Sequence, residues 1–259
     1  AMELVALKVL STSSNWENEG SAIAVEYFQR EARYAYQLRH ENIVPVLNFG
    51  QDDICTYLTM PLITGGTLKD LLRKELPLPL EQAERYLHDI AKAIDAVHAH
   101  PQGLIHNDIK PSNLLIHQVD GRLVLIDFGI TYATRPTANN SSRRGWALGR
   151  EHYIAPEAED GKHEQASDIY SMGVVAYQMF TGLLPFQAVV RNRASELPLP
   201  SVLNTELRKE ADSIILRSMD IEPAKRYQSG MTFAHELSRA LQSSTRVINS
   251  PLSSLKLYD

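Results

Sequence analysis

The sequence predicts an α+β fold in which a small strand-rich part precedes a larger helical part. Residues 4–10, 43–49 and 54–60 carry the apolar patterns of β-strands, and the later apolar residues recur with helical spacing. A turn-like stretch, TGGT at residues 64–67, separates the two patterns. We therefore expect three parts, at residues 1–62, 63–242 and 243–259, of which the last is a Ser-rich tail.

The first part is predicted to hold three strands and one helix. Residues 4–10 are apolar except for Lys8, which indicates a buried strand. Residues 43–49 contain Pro45, which cannot donate a backbone hydrogen bond, so we expect this strand at the edge of its sheet. The helix is predicted by an apolar stripe at steps of four and three, formed by Ala24, Phe28, Ala32, Ala35 and Leu38.

The second part is predicted to be mainly helical. Residues 114–116 and 123–126 read as a hairpin around Asp120 and Gly121. Residues 169–180 are apolar on nearly every side, which predicts a helix buried all round. A strong amphipathic stripe predicts an earlier helix, through Ala83, Leu87, Ile90, Ala91, Ile94 and Val97. Two later stripes predict the last helices, at residues 207–215 and 233–241.

Composition excludes several classes of protein. Lys and Arg number 26 against 31 Asp and Glu, and the net charge of −5 argues against nucleic-acid binding. The single cysteine, Cys55, excludes an intrachain disulfide and a Cys-rich zinc site. It fits a reducing compartment, so we expect a cytoplasmic location. The sequence shows no signal peptide and no apolar run long enough to cross a membrane.

Four short motifs follow one another along the chain. They are VALK at residues 5–8, HNDIKPSN at 106–113, DFG at 127–129 and APE at 155–157. In this order they resemble the motifs of protein kinases, and more narrowly those of the bacterial eukaryotic-like Ser/Thr kinases. The resemblance extends over nearly the whole chain. It implies a two-lobed kinase fold with a reduced N-lobe sheet and a mainly helical C-lobe.

The resemblance assigns phosphoryl transfer to four residues of the C-lobe. Asp127 and Asn113 offer oxygen ligands of the kind that Mg²⁺ or Mn²⁺ prefers, beside the phosphates of ATP. Asp108 would accept the proton of the substrate hydroxyl, and Lys110 would stabilise the transferring phosphate by its charge. The alternative interpretation, a solvated loop of polar residues, is disfavoured by the DFG motif that follows.

Lys8 resembles the strand lysine that contacts the first two phosphates of ATP in this family. A lone lysine in an apolar strand needs a partner of opposite charge. The resemblance places Glu31, on the first predicted helix, as that partner. Glu26 is the competing candidate, although a solvated helix position suits it better.

The adenine of ATP is expected between the lobes. Met60 resembles the gatekeeper residue, and Ala6 and Leu115 resemble the apolar pair that encloses the ring from above and below. Apolar residues of this kind can also be plain core. The hinge, whose backbone would bind the base, is expected at Pro61, Leu62 and Ile63.

Three further residues resemble positions that have a structural role, and not a catalytic one, in the family. Asp168 would cap backbone N–H groups of the catalytic loop, although simple capping of its own helix explains it equally well. Glu157 of the APE motif would pair with Arg226.

The N-terminal region of the sequence differs from the pattern of the family. Only seven residues precede Lys8, and the two strands with a glycine-rich loop that kinases carry there are missing. Either the sequence starts inside a longer protein or the protein lacks this loop, and Met2 as a possible start favours the second. Without two or three backbone hydrogen bonds to phosphate, we expect ATP binding to weaken roughly 10–100-fold. The apolar strand at residues 4–10 would then expose an edge, which predicts a homodimer through that edge.

The catalytic segment departs from the family at two positions. Asn107 replaces the usual arginine, which receives a phosphorylated residue in other kinases, so we expect activity without phosphorylation of residues 130–152. Arg150 replaces the usual threonine, which puts a hydrogen bond to Asp108 in doubt. Together with Arg143 and Arg144 it either favours acidic substrates or lies in a solvated loop.

These features together predict transfer of the ATP γ-phosphate to Ser or Thr of protein substrates, and autophosphorylation. Lys110 is the residue that favours Ser and Thr over Tyr. Two alternatives stay open: a pseudokinase scaffold that binds nucleotide weakly, and a small-molecule phosphotransferase. The APE motif argues against the second, because the segment that it closes forms a shelf for peptides in the family.

Overall fold

A computed structural model describes residues 4–11, 19–52, 55–127, 131–132, 152–192 and 196–242. Several features of the sequence analysis lie outside these residues. They are Phe128 and Gly129 of the DFG motif, Arg143, Arg144, Arg150, and the tail at 243–259. The predicted division of the chain at residues 62 and 242 stays a prediction.

The N-lobe is a three-stranded antiparallel sheet with one helix packed against it. The strands are β1 (Val5–Ser11), β2 (Asn48–Gln51) and β3 (Cys55–Pro61), and the helix is α1 (Glu19–Gln37). The order β1-β3-β2 leaves β1 and β2 at the edges of the described sheet. Helix α1 packs against β2 and β3 and buries Phe28, Ala32 and Ala35, members of the predicted apolar stripe.

The strand predicted at residues 43–49 is wrong over most of its length. β2 begins only at Asn48, and Pro45 lies in the connection before it. The Val44 N–H donates to the carbonyl of Leu125 in the C-lobe at 3.0 Å, and Pro45 has no N–H to donate. This stretch therefore crosses to the other lobe before the chain enters the N-lobe sheet.

The C-lobe is built mainly of helices. They are α2 (Leu68–Leu72), α3 (Leu80–His98), α4 (Pro156–Glu159), α5 (Gln165–Thr181), α6 (Pro185–Asn192), α7 (Pro200–Leu203), α8 (Lys209–Ser218) and α9 (Gly230–Gln242). Helix α3 packs against α5 and α9, and α5 also packs against α8. As predicted from its apolar sequence, α5 is buried on most sides, and it lies at the centre of the C-lobe helices. At Gly173 a Cβ would lie 2.1 Å from Ser218 Oγ, so only glycine permits this approach of α5 to α8.

Two small pairs of strands carry the loops of the C-lobe. They are β4 (Leu104–Ile105) with β7 (Thr131–Tyr132), and β5 (Leu114–Ile116) with β6 (Leu123–Leu125). The β5–β6 hairpin is antiparallel, as predicted, and β6 ends one residue earlier than the sequence indicates. Gly121 in the connection has φ = 70°, a left-handed conformation that favours glycine.

A buried ion pair ties the APE motif to the core of the C-lobe. The guanidinium of Arg226, a residue only 1% exposed, donates to the two carboxylate oxygens of Glu157 at 2.7 and 2.8 Å. It also donates to the carbonyls of Ala166 and Asp220, and it lies 4.9 Å from the centre of the Tyr170 ring. Burial opposes ionisation of Glu157, but the hydrogen bonds from Arg226 hold its pKa below the ordinary value. The pair expected from the resemblance is therefore present, with its charges compensated.

No single helix among the described residues is both long and apolar enough to cross a bilayer. The bent pair of α5 and α6 reaches the required length and composition together, but α5 is a core helix of the C-lobe.

Removing one partner of the buried pair is expected to unfold the C-lobe more easily. Glu157→Ala leaves the Arg226 guanidinium buried without its carboxylate, which costs about 3–5 kcal/mol. Urea denaturation followed by circular dichroism measures this loss. Glu222→Ala, which removes the exposed pair with Lys225, is the control and should leave the midpoint unchanged. Equal midpoints for the two variants would contradict this assignment.

Candidate active site

The ammonium group of Lys8 joins residues from both lobes. Its Nζ lies 3.0 Å from Glu31 Oε1 on α1 and 2.8 Å from Asp127 Oδ1, two residues beyond β6. The side chains of Lys8 and Asp127 are about one-third exposed, at 35% and 37%. Of the two candidate glutamates, Glu31 is the partner, and Glu26 is exposed on the same helix. Lys8 therefore holds a carboxylate of the N-lobe close to one of the C-lobe.

Burial and neighbouring charges shift the pKa values of Lys8 and Glu31. Burial alone would lower the pKa of Lys8, but the carboxylates of Glu31 and Asp127 raise it above its ordinary value. Burial raises the pKa of Glu31 to about 7, although the nearby ammonium opposes this change. Lys8 is thus charged at neutral pH, and Glu31 is ionised more fully as the pH rises above 7.

A second polar cluster lies on the loop between β4 and β5. Lys110 Nζ is 3.0 Å from Asp108 Oδ1. Asn113 Nδ2 donates to Asp108 Oδ2 at 2.8 Å and to the Asp108 carbonyl at 2.9 Å. The amide nitrogen of Asn113 is therefore engaged with Asp108, and the Oδ1 atom is the one that could contact a cation.

The buried carboxylate of Asp168, near the start of α5, holds the catalytic loop, which is the segment at residues 106–113 between β4 and β5. It accepts hydrogen bonds from the N–H of His106 at 2.8 Å and from that of Asn107 at 2.7 Å. His98 Nε2 lies 2.8 Å from its Oδ2 atom. Burial would raise the pKa of Asp168, but these hydrogen bonds and the neighbouring histidines lower it below the ordinary value. The capping of the catalytic loop that the resemblance implied is thus present.

His106 is fully buried within the same loop. Its Nδ1 accepts from the N–H of Asp108 at 3.2 Å, so the proton of the neutral ring sits on Nε2, which faces the carbonyl of Ile126 at 3.3 Å. Burial lowers the pKa of His106, which keeps the ring neutral. His106 therefore connects the loop of Asp108 to the residue before Asp127.

Two residues of the site have a left-handed backbone. Asn107 has φ = 60° and Asp127 has φ = 55°. Asn and Asp occupy this region more easily than other residues with a side chain, because their short polar side chains bond locally. Asn107 thus fits a backbone conformation that would be more strained for the arginine usual in the family.

The residues expected around adenine lie where the two lobes join. Ala6 on β1 is directly opposite Met60 on β3, and Ala6 and Lys8 share one face of β1 because strand side chains alternate. The Leu62 N–H faces the Leu4 carbonyl at 3.4 Å. Leu115 lies on β5, which a bridge to Thr67 joins to the chain just beyond the predicted hinge of Pro61, Leu62 and Ile63.

The chain after the hinge packs tightly on β5. A Cβ at Gly65 would lie 2.1 Å from the Ile116 carbonyl oxygen, so a side chain cannot be accommodated there. The Ile116 N–H donates to the Gly66 carbonyl at 2.9 Å. Thr67 then begins α2 with a capping box that it forms with Asp70.

Comparison with known proteins identifies the family. Residues 1–238 match the sequence family described as protein kinase domain. The chain belongs to the protein kinase family. This confirms the resemblance drawn from the motifs and the two-lobed α+β fold.

Two curated relatives illustrate the similarity. The chain is 32% identical over 232 residues to the serine/threonine-protein kinase PrkC of Bacillus subtilis, covering 87% of the chain and 34% of that protein. It is 31% identical over 242 residues to the serine/threonine-protein kinase pkn3 of Myxococcus xanthus, covering 88% of the chain and 44% of that protein. The chain therefore spans less than half the length of these relatives.

A solved structure shows the same fold. The crystal structure of the PknI kinase domain of Mycobacterium tuberculosis matches with a TM-score of 0.67 at 27% sequence identity. The match covers 91% of this chain and 85% of that one.

The donor set fits the magnesium ion that the kinase family uses with ATP. Asp127 supplies a carboxylate, and Asn113 supplies an amide oxygen whose companion nitrogen is fixed by Asp108. Mg²⁺ is commonly held by one or two such protein ligands together with phosphate oxygens and water. Among the residues that the structure describes, no group of three or more His, Cys, Asp or Glu could hold a metal ion.

Sequence reasoning missed two supporting residues. His98 ends α3 and bonds Asp168, and Ser167 donates to Glu157 Oε1 at 2.7 Å beside the buried ion pair. A polar residue at the end of a helix usually reads as solvated, so the sequence carries no signal for His98. Ser167 directly precedes Asp168 in the buried helix, and this position was the one feature of the sequence that could have indicated a buried, bonded serine.

Replacing Asp168 by Asn is expected to loosen the catalytic loop. The amide keeps one acceptor oxygen and brings an NH₂ group toward backbone N–H donors, so at least one of the His106 and Asn107 amides loses its partner. Each unbonded buried N–H costs about 1–3 kcal/mol. Thermal denaturation and amide hydrogen exchange at residues 106–107 measure the change. Asp70→Asn, which changes an exposed capping position on α2, is the control. Exchange at residues 106–107 that is no faster in Asp168→Asn than in this control would refute the expectation.

Proposed function

We propose that this kinase domain transfers the γ-phosphate of ATP, bound with Mg²⁺ or Mn²⁺, to Ser or Thr hydroxyls of protein substrates, including itself. The supporting observation is that Lys8 lies between Glu31 and Asp127, with Asp108 on the neighbouring loop. Phosphoryl transfer requires aligned groups and compensated charge more than covalent participation by the protein. The metal, when bound, supplies positive charge to the phosphates.

Each residue has one task in this mechanism. Lys8, held by Glu31, binds the first two phosphates. Asp108 orients the substrate hydroxyl and accepts its proton, and Lys110, 3.0 Å from Asp108, stabilises the phosphate in transfer. Asn113 and Asp127 hold the metal.

The base is bound where the two lobes join. Ala6 and Leu115 enclose the adenine ring, and Met60 limits the depth of its pocket. Backbone groups of Pro61, Leu62 and Ile63 recognise the edge of the base. Met60 and Pro61 lie at the end of β3, Leu62 and Ile63 follow it, and Ala6 and Leu115 lie on β1 and β5.

Lys110 supports Ser and Thr as acceptors, since the resemblance places lysine there in the Ser/Thr branch. The names of the curated relatives agree with this choice. The cytoplasm is the proposed compartment, because Cys55 has no second cysteine in the chain with which to form a disulfide.

Phosphate transfer is expected to depend on both aspartates of the site. Asp108→Asn removes the proton acceptor and lowers the rate about 10²–10⁴-fold. Asp127→Asn weakens the metal site and should lower it at least as much. Transfer of radiolabelled phosphate from ATP to casein measures the rates, and Asp120→Asn on the β5–β6 connection is the control. A wild-type rate no higher than that of the variants would favour the pseudokinase alternative.

Activity is expected without phosphorylation of residues 130–152. Asn107 carries no charge and its Oδ1 faces His163 Nδ1 at 3.2 Å, so it cannot pair with a phosphate dianion as arginine does. A sample treated with phosphatase, and verified by mass spectrometry, should keep its initial rate within about two-fold. Loss of turnover on dephosphorylation, reversed by preincubation with ATP, would overturn this expectation.

We also propose a homodimer through β1. This strand is at an edge of the described sheet, and Val5, Leu7 and Val9 on one of its faces are 48%, 61% and 48% exposed. An exposed apolar edge strand pairs readily with another chain. Light scattering after size exclusion should give a dimer mass that Leu7→Lys reduces to the monomer. A monomer at all concentrations of the wild-type chain would refute the dimer.

A further inference from the structure

A cavity of about 400 Å³ lies between the segment around the APE motif and the start of α6. Its apolar walls are formed by Ile154, Pro156, Pro185 and Phe186. The side chain of Phe186 is 63% exposed, so this ring borders the cavity without belonging to the core. Sites that bind small groups begin at roughly 300 Å³, so the cavity has room for one long side chain of a bound peptide.

Two polar side chains line the same cavity. They are the carboxylate of Glu159, an exposed residue, and the hydroxyl of Tyr170. In the part of the chain that the structure describes, the carboxylate forms no ion pair and the hydroxyl forms no hydrogen bond. Lys162, the nearest lysine in sequence, does not pair with Glu159. The cavity therefore presents two acceptor groups, and one of them carries a negative charge.

The positive charge nearest to Tyr170 is already compensated. The guanidinium of Arg226 lies 4.9 Å from the centre of the Tyr170 ring, and it donates to both carboxylate oxygens of Glu157. It is thus paired with Glu157 and does not neutralise Glu159. Burial raises the pKa of Tyr170, and the two glutamates add to this effect although Arg226 opposes it, so the hydroxyl stays protonated.

A lysine or arginine side chain matches both the walls and the polar groups of this cavity. Such side chains bury their methylene groups along apolar surface and keep the charged end at the rim. The charged end would pair with Glu159 and donate to the Tyr170 hydroxyl. The Phe186 ring offers a face that attracts cations, and the His152 ring, 6.0 Å away and within 5° of parallel, extends this aromatic surface. An acidic side chain would instead meet the carboxylate of Glu159.

The cavity is within reach of a peptide whose hydroxyl lies at Asp108. Asn107, the residue before Asp108, has its Oδ1 atom 3.2 Å from Nδ1 of His163. His163 follows Glu159 by four residues, which span at most about 14 Å even when fully extended. One extended peptide can therefore place a hydroxyl at Asp108 and another of its side chains in the cavity.

We propose that this cavity binds a lysine or arginine side chain of the protein substrate, at one fixed position relative to the Ser or Thr that is phosphorylated. Glu159 and Phe186 are then residues that determine specificity. The role of the bound residue in substrate choice rests on the proposed function, but the binding of a cationic side chain does not. The preference is opposite to the one expected if Arg143, Arg144 and Arg150 selected acidic substrates.

A set of peptides of Gly and Ala with a single Ser tests the preference. Each peptide also carries one Arg, Lys, Glu or Leu, which is moved one position at a time away from the Ser on either side. At one position, Arg and Lys should each raise kcat/KM about tenfold above Leu, and Glu should lower it below Leu. Glu159→Lys should reverse the order of Arg and Glu at that position. Asp160→Lys, which changes the exposed neighbour outside the cavity lining, is the control and should keep the wild-type order.

A milder variant covers the case in which Glu159→Lys disturbs the fold. Phe186→Leu keeps an apolar wall but removes the aromatic ring, so the advantage of Arg over Leu should fall about two- to five-fold. Val190→Ala changes a residue that is 61% exposed on the same helix but does not line the cavity, and it should keep the full advantage. Preferences in Glu159→Lys and Phe186→Leu that equal those of their controls would overturn the proposal.

A binding measurement does not require activity. N-acetyl-arginine methylamide is titrated into the nucleotide-free chain, and the methyl resonances of isoleucine are followed by NMR. The Ile154 resonance should shift in the wild type, and it should shift much less in Glu159→Lys or with N-acetyl-norleucine methylamide.

The two measurements separate failure of this proposal from failure of the proposed function. If the wild-type chain transfers no phosphate to any peptide, the proposed function fails and the titration alone decides on the cavity. An Ile154 resonance that does not shift in the wild type overturns the proposal. A shift that appears only in Arg150→Gln would assign the cavity to an arginine of this chain, which also overturns it.

Discussion

The site depends on one ammonium group that contacts carboxylates from two different lobes. Neither Glu31 nor Asp127 is near Lys8 in sequence, so their meeting requires that β1, α1 and the end of β6 keep a fixed arrangement. Half-buried charges of this kind are tolerated only when paired, because desolvation opposes ionisation. At Glu31 burial has the larger effect on the pKa, which is raised to about 7 although the ammonium of Lys8 lowers it.

Two charged side chains of the C-lobe, Asp168 and Arg226, are completely enclosed by the protein. Asp168 and Arg226 are each surrounded by hydrogen-bond partners, and each connects segments far apart in the chain. The central helix α5 begins between them. The loop that carries Asp108 is therefore positioned by the most buried part of the protein, whereas Lys8 is positioned by the smaller N-lobe sheet.

The sequence predicted the partner of Lys8 better than it predicted the path of the chain. The kinase resemblance placed Glu31 beside Lys8, and the two are in contact, while apolar periodicity found α5. Residues 43–49 were misread as one strand, because an apolar run does not reveal which lobe supplies its partner. The left-handed backbone of Asn107 also has no signal in composition, since it is imposed by tertiary contacts.

The chain at and beyond the hinge is held by contacts on both sides, which limits how it can rotate. Leu62 is bonded to the strand on one side, and Gly65 and Gly66 are held against β5 on the other, with no space for a side chain at Gly65. Torsional freedom within the hinge is thus concentrated in the few bonds around Ile63. Opening and closing of the cleft would be a swivel about this point, and not a gradual bending of the polypeptide.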